Sequence, residues 1–500
     1  MRSAKLGANM IRIHDLSVHY GPISALNNVN LEVPPGQCVL ITGPSGCGKS
    51  TLAHVLSGLI PHSIPAHVQG SVVAAGMDVT AQPLADTAQR VGMVFQNPSS
   101  QLFHLCVEDE VAFGPRNLGL NEAEVHQRTE WALEATGMTI LRNRKPAELS
   151  GGQKQCLAIS AVLAMRPQIL VLDEPTASLD VPSTQRVMET LHNLQAQFGI
   201  TIVLIEHRLA EAIQFVDRVI LMDEGRIISD GTPDDVFANR RTRDKLGLRR
   251  LPEERLDTWE NLIEADGQNK DHALPLLSLE KVAAGYNRHP VIEEINMALY
   301  PGEFTALVGN NGAGKTTLAL VAAGLIRPQQ GQVKFHNGNK PRPGLDVAIL
   351  FQNPADQLFT DTVDEEVSFG PKNYGIFSAK QHSHTLAEAD LDGLRGRRPT
   401  LLSAGQQQRT ALAACMALRP KLLILDEPTL GQDWAHLERL MDFLVTLNRQ
   451  GTAILLISHD YKLVYHYAQR VFLMEEGRIK LEGQLHKERK LSKARGVIVQ

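Results

Sequence analysis

No stretch of this 500-residue chain approaches the ~18 consecutive apolar residues that cross a bilayer, and runs such as Thr317–Ile326 read as cores of helices or strands. Residues Met1 to Met10 carry two basic side chains and no apolar stretch, so no signal peptide is expected. Any membrane role is expected to come through a partner. Cysteine is scarce: Cys38, Cys47, Cys106, Cys156 and Cys415 form no CxxC pair and no His-paired zinc spacing. They read as reduced, buried thiols rather than disulfides or metal ligands. An excess of positive charge is also missing, with 50 basic against 55 acidic residues and a net charge of −5. That balance disfavours a nucleic-acid partner, which selects basic surfaces. A hydrophobic fraction of 43% and a charged fraction of 21% suit ordinary globular domains. The length exceeds what one hydrophobic core supports, so two or three domains are expected.

What is present is a duplication. GPSGCGKST at 43–51 returns as GNNGAGKTT at 309–317, and FQNPSSQLF at 95–103 as FQNPADQLF at 351–359. LSGGQKQ at 149–155 returns as LSAGQQQ at 402–408, and VLDEPT at 171–176 as ILDEPT at 424–429. The offset is 266 for Lys49/Lys315, 256 for Gln96/Gln352, 253 for Glu174/Glu427 and 252 for His207/His459. One domain is written twice, with ten extra residues in the first copy expected around His62–Val68 as a tolerated surface insertion. The organisation expected is a domain over 1–245, a charged linker over 246–274, a second domain over 275–485 and a basic tail over 486–500. The tail's Lys487, Arg489, Lys490, Lys493 and Arg495 read either as a solvated end or as a contact for anionic lipid. Uninterrupted runs rich in Val, Ile and Leu (Val39–Thr42, Ile169–Leu172, Ile200–Ile205 and their partners Phe304–Val308, Leu422–Leu425, Ala453–Ile457) predict strands buried on both faces. Between them run helical patterns, so the fold class is α/β with a mainly parallel sheet.

Both glycine-rich segments fit a phosphate loop between a strand and a helix. In Gly43-Pro44-Ser45-Gly46-Cys47-Gly48-Lys49-Ser50-Thr51 and Gly309-Asn310-Asn311-Gly312-Ala313-Gly314-Lys315-Thr316-Thr317, glycines let backbone N–H groups turn around a polyphosphate. Lys49 and Lys315 would neutralise the β- and γ-phosphates, and Ser50 and Thr316 would hold Mg²⁺. Asp173 and Asp426 end apolar strands at the carboxyl edge of the sheet and would join the Mg²⁺ shell. Glu174 and Glu427 follow directly, and strand alternation is expected to turn them toward an attacking water. Gln96 and Gln352, each after a short apolar strand, could meet metal or water, and His207 and His459 would contact the γ-phosphate.

Phosphate loop, glutamine loop, LSGGQ, acidic strand end and histidine, in this order, resemble an ABC ATPase over essentially both halves. The resemblance implies two tandem nucleotide-binding domains, each with a P-loop, RecA-like, mainly parallel core, an antiparallel β subdomain and a helical subdomain. It implies Mg²⁺-ATP hydrolysis, and two halves that pair within one chain. Site one would join the Lys49 loop to Ser403, Ala404, Gly405 and Gln406; site two would join the Lys315 loop to Ser150, Gly151, Gly152 and Gln153. Ser178–Asp180 and Gly431–Asp433 fall where the family has its D-loops. Tyr20 and Tyr286, each 23 residues before the first loop glycine, fall where the family stacks an aromatic on adenine; a core tyrosine is the other reading. Ala404 in place of a signature glycine, and Cys156 where Arg409 stands in the second half, make site one the weaker expectation.

The stretches QLFHLCVEDEVAFGPRNLGL (101–120) and QLFTDTVDEEVSFGPKNYGI (357–376) narrow the resemblance. They are similar to the helical subdomain of energy-coupling factor (ECF) transporter ATPases, importers of vitamins or metal ions. In that family this region grips a membrane coupling subunit that works beside a substrate-binding membrane subunit. The protein is then expected at the cytoplasmic face of the membrane, held there through those subunits. The same stretches could instead be amphipathic helices packed on their own core. The alternative from another class is a tandem ABC protein acting on ribosomes or nucleic acid, which the acidic net charge and the lack of a basic helical linker disfavour.

Overall fold

The computed structural model describes residues 9–44, 46–177, 179–206, 209–238, 259–265, 274–286, 289–336, 338–428, 434–458 and 460–485. The chain folds into two compact units that part near Arg255. Ser45, Ser178, His207, His459, residues 431–433, the tail over 486–500 and most of 246–274 lie outside the described residues.

In the first unit, β1 (Ile11–Tyr20), β2 (Ile23–Val33), β4 (His67–Ala74) and β5 (Met77–Asp78) form an antiparallel sheet in the order β2-β1-β4-β5. The core sheet contains β3 (Cys38–Thr42), β6 (Val91–Val94), β7 (Ile169–Asp173), β8 (Thr201–Ile205), β9 (Arg218–Asp223) and β10 (Arg226–Gly231). Its order is β10-β9-β3-β8-β7-β6, parallel except for the β9–β10 hairpin. Every residue of β3, β7 and β8 is buried. This is why their sequences carry no alternation: helices cover one face, and the helix Lys49–Leu56 together with the antiparallel layer covers the other.

The second unit repeats the plan. β12 (Leu277–Tyr286), β13 (His289–Leu299) and β15 (Gln330–Phe335) make the antiparallel layer. β14 (Phe304–Val308), β16 (Val347–Leu350), β17 (Leu422–Asp426), β18 (Ala453–Ile457) and β19 (Arg470–Glu475) run parallel, with β20 (Arg478–Leu485) antiparallel at the end. Part of the stretch read as linker is ordered: Ile263–Ala265 pair with Leu485–Gly483 and form a further edge strand, β11.

The extra length of the first copy is split rather than gathered at His62–Val68. Gly70 and Gly331 are structural equivalents, since an added Cβ would strike the Asp15 carbonyl in one unit and the Lys281 carbonyl in the other at 2.6 and 2.3 Å. Their offset of 261 places five of the ten residues before β4 and five after it, where Leu84–Arg90 form a helix. The described cysteines are free thiols. Burial pushes Cys38 and Cys415 up to about 12 and Cys156 up to about 11, leaving them protonated and inert.

Candidate active site

Each phosphate loop leaves a buried strand and enters a helix, α1 (Lys49–Leu56) or, in the second unit, Lys315–Ala322. Gly43 has φ 150° and Gly309 φ 143°; a Cβ at either would lie 2.1 Å from a backbone carbonyl, of Met222 or Met474. Only glycine lets the loop start that close to the neighbouring strand. The third glycines, Gly48 and Gly314, are left-handed as well and open the helices. Cys47 and Ala313 fill the same inward position, both buried. The Lys49 ammonium donates to the Gly43 and Pro44 carbonyls at 2.9 and 2.8 Å, and Lys315 donates to Gly309 and Asn310 at 2.8 and 2.9 Å. Each cation is thus folded back across its own loop, on the axis where the helix end adds positive potential.

The acidic strand ends lie beside the loops. In the second unit the Thr316 hydroxyl donates to Asp426 Oδ2 at 2.7 Å. Burial raises the Asp426 carboxyl above its usual range, opposed by that hydrogen bond. A buried carboxylate joined to a hydroxyl is an oxygen-only donor set that suits Mg²⁺. Thr316 and Asp426, with Ser50 and Asp173 at the matching positions, would hold the ion, which neutralises charge on the β- and γ-phosphates when bound.

Glu174 and Glu427 do not follow strand alternation. β7 and β17 end one residue earlier, and both glutamates take a left-handed backbone with φ 47°. Each donates its N–H to the end of the adjacent strand, at Ile205 or Ile457, at 2.9 Å. A non-glycine residue held this way costs about 1–3 kcal/mol, strain typical of functional positions. The Gln96 amide donates to Glu174 Oε2 at 2.9 Å, so the glutamine loop meets the acid directly. Gln352 is exposed and Glu427 buried. Tyr20 is partly buried against the first unit's core, whereas Tyr286 is 52% exposed.

The signature segments are helix N-termini. Ser150 caps the helix α5 (Gly151–Leu163): the Gln153 N–H donates to Ser150 Oγ at 3.4 Å, and the Ser150 N–H donates to Gln153 Oε1 at 2.9 Å. Ser403 and Gln406 repeat this arrangement on the helix Ala404–Met416, at 3.4 and 3.1 Å. S-x-x-Q is therefore a capping box that leaves the other first-turn N–H groups directed outward. A Cβ at Gly152 would come 2.8 Å from Ser183 Cβ, whereas one at Gly151 would meet only the tip of Leu179, at 3.3 Å. Gly151 matches Ala404 in the repeat, and a methyl at 151 would have only this flexible side-chain end to displace. Gly151→Ala is accordingly expected to leave ATP turnover within about threefold. Gly152→Ala should lower stability by about 1–3 kcal/mol and shift the helix end. Phosphate-release rates and thermal melts of the two variants check this.

The same sequence stretches that follow the glutamine loops contain a feature not read from sequence. Glu110 is buried and accepts the N–H groups of Phe103 and His104 at 2.9 and 2.8 Å. Glu366 does the same for Phe359 and Thr360 at 3.0 and 2.9 Å. These carboxylates fold the QLF loop onto Val107–Asn117 and Val363–Asn373, and the recurrence of a glutamate seven residues after each phenylalanine was the available signal.

The ABC transporter family profile matches residues 26–177 and 292–430, once in each unit. The chain belongs to the ABC transporter ATP-binding proteins. It is an ATPase, and members of this family generally use Mg²⁺ with ATP. A Methanosarcina acetivorans protein named "Putative ABC transporter ATP-binding protein" is 38% identical over 97% of this chain and 87% of its own length. One with the same description from Caldanaerobacter subterraneus subsp. tengcongensis is 36% identical over 92% of this chain and 88% of its own. Among solved structures, Clostridium perfringens cbiO1, described as part of the ABC transporter complex cbiONQ, is 33% identical, with a TM-score of 0.44. It covers 49% of this chain and 96% of that one. Among the described residues of this ATPase, no helix is long and apolar enough to cross a membrane.

Proposed function

We propose that this ABC ATPase powers a membrane importer of the energy-coupling factor type, carrying a vitamin, a vitamin precursor or a metal ion. The two halves would act as a pair within one chain, with Glu174 and Glu427 as the water-activating bases. The observation that carries the transport reading is a matched pair of exposed aromatic ledges. Phe103 meets Phe113 edge to face with ring centroids 4.8 Å apart, and Phe359 meets Phe369 at the same 4.8 Å. Phe103 and Phe359 remain 63% and 66% exposed. Side chains this large, held in the same geometry in both units and left open, suit the groove that receives an apolar partner helix. Such a partner would be a membrane coupling subunit working beside a substrate-binding subunit, which would keep this ATPase at the cytoplasmic face.

Changing Phe103 and Phe359 together to serine removes both ledges without touching either phosphate loop. Recovery of a hydrophobic membrane subunit with the tagged protein is expected to fall about tenfold or more, since two lost aromatic anchors each count for about 2 kcal/mol. ATP binding by the isolated variant should be unchanged. An undiminished complex after detergent purification would remove these side chains from the interface.

A further inference from the structure

The duplication supplies an internal control at one place in the second unit. In the first unit, Trp131, on the helix α4 (Glu122–Ala135), meets Phe198, the last residue of the helix α6 (Val181–Phe198). The rings are edge to face, 5.2 Å between centroids at 82°, and the Arg166 guanidinium lies 5.7 Å over the indole. This aromatic wedge fills the space between the two helices. The second unit keeps the frame: Leu386 matches Leu133, both fully buried, and Arg419 matches Arg166, both left-handed at φ 52° and 58°. It lacks the wedge. His384 stands in place of Trp131, and the helix Trp434–Arg449 stops short, so Gln450 precedes the terminal glycine where Phe198 does in the first unit.

What remains is a cavity of about 580 Å³. Leu412, Met416, Leu440, Phe443 and Leu447 supply its apolar surface, beside polar side chains that include Thr385, Gln450 and Thr452. At its rim, Arg409 is neutralised by Asp390 at 2.5 Å and His384 leans on Glu388 at 3.2 Å. Arg419, also on the rim, is held by the neutral side-chain amide of Gln381, and no carboxylate among the described residues pairs with it. Gly405 and Gln408, from the first turns of the signature helix, also line the space, and Gln408 donates to the Pro428 carbonyl at 2.7 Å.

We propose that this cavity binds a small planar aromatic carboxylic acid. The ring takes the place that an indole holds in the first unit, and the carboxylate pairs with Arg419. A volume of this size is ordinary for a small-molecule site; the apolar residues take the ring, and Arg419, without a carboxylate partner among the described residues, takes the acid. The occupant lies against the helix that begins with the signature segment, which makes the site a place to regulate ATP turnover. It stands independently of the transport reading.

The test is calorimetric titration of indole-3-acetate and of indole into the full chain, with saturating ATP and EDTA so that the adenine sites are filled and hydrolysis is stopped. One saturable site is expected for indole-3-acetate, with Kd below ~1 mM. His384→Trp, which restores the first unit's residue, should weaken it about tenfold or more by occupying the space. Arg419→Leu, at an exposed position, should weaken indole-3-acetate but not indole. Trp131→Phe in the first unit should leave binding unchanged. Absence of saturable binding, displacement by ATP, or equal binding by wild type and both second-unit variants would overturn the proposal.

Discussion

Replacing Glu174 and Glu427 together with glutamine is expected to keep ATP bound and to cut phosphate release by ~10²–10⁴-fold, the usual contribution of a general base. The expectation rests on backbone geometry as much as on sequence. Both acids occupy a left-handed position one residue past the strand, and both are pinned by an N–H to the end of the neighbouring strand. The same left-handed conformation recurs at the equivalent residue of each copy, directly after the strand-ending aspartate. Glutamine keeps the shape and can still meet the Gln96 amide through its carbonyl oxygen, so the loop geometry should survive while the proton acceptor is lost. Turnover is measured as phosphate release and binding with a fluorescent ATP analogue. Undiminished hydrolysis would remove these residues from the base role.

The second large effect is expected from Gly43→Ala and Gly309→Ala. In both, the new methyl would have to occupy space 2.1 Å from a carbonyl oxygen of the adjacent core strand, in a backbone conformation that alanine avoids. Overpacking of about 1–3 kcal/mol and backbone strain of about 1–3 kcal/mol act together. Loop and strand must separate, which moves the N–H groups and the lysine that would hold phosphate. Each variant should lose nucleotide binding at its own loop. Gly46→Ala and Gly312→Ala are the controls: their φ values of 78° and 82° are also left-handed, yet nothing lies within 4 Å of an added Cβ. These controls should cost about 1–2 kcal/mol of stability, less than the Gly43 and Gly309 variants. Melting curves and nucleotide titrations of the four variants separate a loop that is merely strained from one that is sterically blocked.

The core strands were legible because each is buried on both faces and so written as an unbroken, uncharged run dominated by Val, Ile and Leu, as in Val39–Thr42 and Ala453–Ile457. The phosphate loops were legible because their glycines serve backbone geometry that few sequences can supply. The direction of Glu174 was not, since a single left-handed residue after a strand leaves no periodic trace. LSGGQ was read as a family mark, although S-x-x-Q also spells a capping box, and the structure shows both boxes formed. Glu110 and Glu366 each stand in a run of three acidic residues in a helix first turn, where negative charge is ordinarily stabilising, so nothing local singles them out. Only the fold reveals them buried under the QLF loops. The insertion was misplaced for a related reason: between conserved-looking motifs the two copies share too little sequence to fix a register, and the paired glycines 70 and 331 do so only through their strand contacts.

We propose that this chain carries two complete ATP sites, one built on each phosphate loop. The direct measurement is the number of ATP molecules bound per chain by the Glu174→Gln, Glu427→Gln protein at saturating Mg²⁺-ATP, by equilibrium dialysis, with Lys49→Ala and Lys315→Ala added singly. Two per chain are expected in the double variant and one after either lysine is removed. A value of one in the double variant, or no loss on removing one of the lysines, would contradict it.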